Sequence, residues 1–133
     1  MSNGQRSLWT FLLFALIGPF AGAVVVVVGS TVLAQAGQLV PAETPGDYAI
    51  RAFVLGTFVA AIVGAGLAAL TSLRGGFGWL EASVAGVLGF MAVALGSGAI
   101  APSFMTAFAF LSACVALLCR ALLVRINILP SGP

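Results

Sequence analysis

The run Leu16–Ala36, LIGPFAGAVVVVVGSTVLAQA, decides what kind of protein this is. Five consecutive valines, Val24–Val28, are strand vocabulary, Gly18-Pro19 resembles a helix breaker, and Ala34-Gln35-Ala36 resembles a signal-peptidase site. A strand this apolar needs cover on both faces, as in a parallel sheet, and nothing else in the chain alternates as such a sheet requires. In a helix, successive residues turn about 100° each, so the valines wrap the circumference and leave no polar face. Such a helix belongs in lipid, where every backbone polar group must bond internally and β-branched residues are driven into helix. The signal-peptide reading fails on length, because the apolar run far exceeds the roughly 7–15 residues of a signal core. Pro19 removes one helical donor and crowds the carbonyl of Ala15, so a kink is expected, softened by Gly18 and Gly22.

The rest of the chain shares this character. Of its 133 residues 62% are hydrophobic and 6% charged, with a mean hydropathy of +1.22, whereas a soluble domain carries about 25% charged residues. Four segments reach the roughly 20 apolar residues that a bilayer crossing needs: about 8–33, 49–70, 79–100 and 103–124. The expected fold is therefore all-α, an integral membrane bundle of four transmembrane helices forming one domain over residues 1–133. Thr44-Pro45-Gly46-Asp47 reads as a turn in which Asp47 caps the second helix, with Arg51 one helical turn on. Gly75-Gly76-Phe77-Gly78 reads as a hairpin, and Gly96-Ser97-Gly98 with Pro102 ends the third helix and starts the fourth.

Arginine placement sets the expected orientation. An even number of spans puts both termini on one side, together with Arg6, Arg74, Arg120 and Arg125, against Arg51 alone on the other. Both termini are therefore expected in the cytoplasm, with Trp9 and Trp79 at the inner interface and Tyr48 at the outer. The alanine-, glycine- and arginine-rich vocabulary points to a bacterium with a GC-rich genome, and so to its plasma (inner) membrane.

Helices in lipid associate by close backbone approach at small residues. Gly56, Ala60, Gly64 and Ala68 recur every four residues in the second span, and Gly18 and Gly22 form a GxxxG in the first. In the third, Ala82, Gly89 and Gly96 recur every seven, with Ala85 and Ala92 beside them. The expected packing positions are thus Gly18, Gly22, Gly56, Ala60, Gly64, Ala68, Gly89 and Gly96. Two matches to G-x-G-x-x-A, at Gly64–Ala69 and Gly96–Ala101, lack the strand-to-helix context of a dinucleotide site and imply no cofactor.

Glu81 is the one acid in or near a span, and an acid there is a functional candidate by default. It lies in the first turn of its helix, where a carboxylate complements the helix dipole, and Arg74 is its expected partner. Ser30, Thr31, Ser83, Ser97, Thr106 and Ser112 are mild polar groups that can bond helix backbone. Cys114 and Cys119 fit no metal or redox spacing and read as small buried apolar side chains. The chain has no His and no Lys, so imidazole ligands, Schiff bases and His-based acid–base chemistry are excluded. No enzyme, cofactor or metal site is expected, and the small net charge of +2 offers no nucleic-acid footprint.

Two functions fit. One is a non-catalytic accessory or structural subunit of a larger membrane assembly, with the bilayer and other membrane subunits, or itself, as partners. The other is a small homo-oligomeric transporter or channel coupled to protons or cations through Glu81. Fluoride channels and small multidrug transporters share the size and span count. The chain has neither the polar pore signatures of the former nor the mid-membrane glutamate in the first helix of the latter.

Overall fold

A computed structural model describes residues 1–35, 45–98 and 102–132. It contains α1 (Asn3–Gln35), α2 (Pro45–Arg74), α3 (Trp79–Ser97) and α4 (Pro102–Arg125), with no strand among the described residues. All four helices are long and apolar enough to cross a membrane. The valine run lies within α1, which continues unbroken through Pro19. Lipid-like sequence and internal backbone bonding thus override both the strand preference of valine and the proline.

Element ends differ from the sequence expectation in particular ways. The first helix reaches back to Asn3 and forward through Gln35, so Ala34 and Gln35 belong to it rather than to a loop. The second begins at Pro45, which places Asp47 inside its first turn and not at the cap. There the carboxylate still favours the positive end of the helix dipole. The third stops at Ser97, where Gly98 takes a left-handed conformation (φ 61°) and its N–H bonds the Ala94 carbonyl. Glu43 and the expected end of the third span, Ala99 and Ile100, lie outside the described residues, as does the Tyr48 side chain.

The helices form a ring in chain order. Packing is most extensive within the α1–α2 and α3–α4 hairpins, while α2–α3 and α1–α4 are lighter seams. The bundle is apolar outside as well as inside. On α1, Leu8, Leu12, Leu16, Phe20, Val24 and Val28 recur every four residues and are all exposed. Facing inward are Phe14, Leu67 and Leu123 with small residues such as Ala60, Ala68, Ala82, Ala94 and Ala116. Soluble proteins seldom expose contiguous apolar surface beyond a few hundred Å²; a helix in lipid does so along its length.

Candidate functional site: an arginine-clamped turn at one end of the bundle

The small-residue face of α2 meets α1 directly. A Cβ placed on Gly18 would stand 2.6 Å from the Ala60 Cβ, and one on Gly64 would stand 3.0 Å from the Phe14 Cβ. Gly56 faces Pro19, whose Cα would be 3.4 Å away from such an atom. Ala60 and Ala68 are buried in the same seam, and the Ser7 hydroxyl donates to the Ala68 carbonyl across it (2.8 Å). On α3, a Cβ on Gly89 would overlap Cγ2 of Val63 from α2.

Two expected packing glycines are not in a seam with any described residue: among the described residues nothing lies within 4 Å of a Cβ built on Gly22 or Gly96. Helices that cross at an angle part on either side of the crossing point, and Gly22 lies beyond the approach at Gly18 and Pro19. Gly96 lies in the last turn of α3, past Ala94, the last buried residue of that helix. The tight α3–α4 contact is instead at Gly86, where a Cβ would stand 2.8 Å from the Ser112 carbonyl oxygen and 3.0 Å from the Ala113 Cα. Gly86 follows Ala82 by four residues; counting by sevens passes over it.

The hydroxyls in the helices mostly close on backbone within their own helix. Thr10, Thr31, Thr57, Thr71 and Ser83 each donate to the carbonyl four residues earlier, and Ser112 donates across to Gly86. Thr106 is exposed, Cys119 is buried, and Cys114 is exposed, against the expectation that both cysteines are buried.

The remaining polar chemistry gathers at one end, around the α2–α3 turn. Arg74 Nη1 donates to Glu81 Oε1 at 3.1 Å, and the Gly78 backbone N–H donates to Glu81 Oε2 at 2.7 Å. The carboxylate therefore holds the start of α3 and ties it to the end of α2. Arg6 of α1 donates through Nη1 to the Gly75 carbonyl at 3.4 Å, while its buried Nε has no partner among the described residues.

Arg120 of α4 reaches the same turn. Its Nε donates to the Phe77 carbonyl at 3.0 Å, its Nη2 donates to the Gly132 carbonyl at 2.7 Å, and its guanidinium lies 4.1 Å from the Trp79 ring centroid. It is 1% exposed. Sequence reasoning counted Arg120 only as a topological charge. The available signal was its position inside Leu117–Leu123, five residues before α4 ends. An arginine there cannot simply extend past the helix terminus.

These features define an apolar bundle of four potential membrane-crossing helices, with its polar contacts concentrated on a clamped turn at one end. Comparison with known protein families, with characterised proteins and with solved structures finds no match.

Proposed function

We propose that the protein is a non-catalytic integral membrane scaffold, an accessory subunit that packs within a larger membrane assembly. One observation carries this reading: most of the described hydroxyls of the helices close on helix backbone, their own or a neighbouring helix's. Glu81, the residue on which ion coupling would depend, is engaged by Arg74 and by the Gly78 N–H at the bundle end. That arrangement supports a structural carboxylate. We place both termini in the cytoplasm, supported by the positive-inside tendency: Arg6, Arg74, Arg120 and Arg125 sit at the end that carries Asn3 and Gly132. A bacterial plasma membrane is proposed from composition.

The test is purification from native membranes in a mild detergent, followed by mass analysis of what remains bound. A stoichiometric membrane partner is the expected result. Isolation of the chain alone, together with Glu81-dependent proton or cation flux in reconstituted vesicles, would replace this reading with that of a transporter.

A further inference from the structure

We propose that the segment after α4, Ile126–Gly132, is a strap that fastens the two helical hairpins to each other, with Arg120 as its bolt. The seams between the hairpins are lighter than those within them, so added contacts at this end bear on how the hairpins dock.

The strap is made by a chain reversal. Asn127 takes a left-handed conformation (φ 60°), and the Ile128 and Leu129 N–H groups both return to the Leu123 carbonyl. Ile128 and Leu129 then bury themselves in the main core, which joins Phe14 of α1, Leu67 of α2 and Phe77 of the turn to Leu123 of α4. Pro130 lies against Gly76, where an added Cβ would stand 3.1 Å from the proline Cδ.

Arg120 joins these pieces by donating to one carbonyl of the turn and one of the strap. Its partners among the described residues are carbonyls and an indole face, so none of those partners brings an opposite charge to offset the desolvation of the guanidinium. The strap is thus held by these hydrogen bonds and by the burial of Ile128 and Leu129, and whatever grips this segment alters how the hairpins dock. The converse follows by linkage.

The experiment uses spin-label distances in full-length protein in detergent, with Cys114→Ala to remove the exposed thiol. Labels at Leu8→Cys and Leu118→Cys report the strapped end; labels at Phe20→Cys and Phe110→Cys serve as the control nearer the other end. Arg120→Gln, and separately truncation after Arg125, should lengthen and broaden the first distance and leave the second unchanged. In Arg120→Gln, protease removal of the strap should quicken by roughly tenfold, as loss of a charge-assisted hydrogen bond implies. A Gly76→Cys/Pro130→Cys tether placed in the Arg120→Gln chain should restore the wild-type distance. Truncation that leaves the first distance unchanged overturns the proposal, whatever Arg120→Gln does. If either variant fails to fold, the tethered Arg120→Gln chain decides, and its failure to recover the wild-type distance also overturns the strap.

Discussion

Ser112 of α4 donates its hydroxyl to the Gly86 carbonyl of α3 at 2.8 Å, across a seam in which that glycine has no room for a Cβ. The close approach and the hydrogen bond depend on each other, because only a glycine lets the α4 backbone come near enough. Gly86→Ala should therefore destabilise the bundle by about 1–3 kcal/mol, since the obstructing atoms are backbone and cannot rotate away. Ser112→Ala should cost less, about 0.6 kcal/mol and at most about 1.7. Thermal unfolding in detergent measures both. Gly22→Ala and Gly96→Ala, where the added methyl meets no described residue, should leave the midpoint unchanged or raise it.

Gly18 and Ala60 form a reciprocal pair, with room for a single methyl between them. Gly18→Ala should destabilise, and Ala60→Gly introduced into it should recover much of the loss. A double-mutant cycle should give a favourable coupling on the order of 0.5–3 kcal/mol. Additive effects would mean that the two residues do not share the seam. Gly64→Leu, which drives a larger side chain toward Phe11 and Phe14, should lower thermal stability and change the size of the particle in detergent.

Glu81 serves two partners of unequal value. Arg74 is 68% exposed, and exposed ion pairs contribute only about 0–1 kcal/mol. The Gly78 N–H is an otherwise orphaned helix-start donor, and losing its acceptor costs about 1 kcal/mol. Glu81→Ala should therefore destabilise more than Arg74→Ala. Glu81→Gln should lie near Arg74→Ala, because the amide oxygen can still accept from Gly78. Added salt should shrink the Arg74→Ala effect first.

The two cysteines should separate in reactivity. Cys114 is exposed and Cys119 is fully buried beside Leu123. A small apolar maleimide should reach Cys114 sooner than Cys119 in the folded chain in detergent, slowly because Cys114 lies at the middle of α4 where the thiolate is disfavoured, and both thiols should react after unfolding. Modification of Cys119 at the rate of Cys114 would contradict the packing of α4.

Much of the fold was legible in the chain itself. Leu8–Leu33 announces a helix by length and all-round apolarity, and the four-residue repeat of Gly56, Ala60, Gly64 and Ala68 marks the α2 face that meets α1. Glu81 and Arg74 were legible as a pair because they flank a short glycine-rich turn. Gly86 was not, since its value comes from the Ser112 and Ala113 backbone lying opposite, more than twenty residues away in the chain. Arg120 was legible as a charge near a helix end. Its burial was not, because that depends on the return of Ile128 and Leu129 beneath the bundle.

The sequence by itself determined four helices and their apolar character. Helical hydrogen bonds are local, and hydrophobicity accumulates residue by residue along a span. Only the tertiary structure decided which small residues lie in seams, which do not, and which arginine becomes internal. Those outcomes depend on where helices cross and where the chain reverses, and both are set by contacts between segments far apart. The valines of Val24–Val28 thus identify a helix suited to lipid, while the chemistry that organises its bundle is concentrated around Phe77, Glu81 and Arg120.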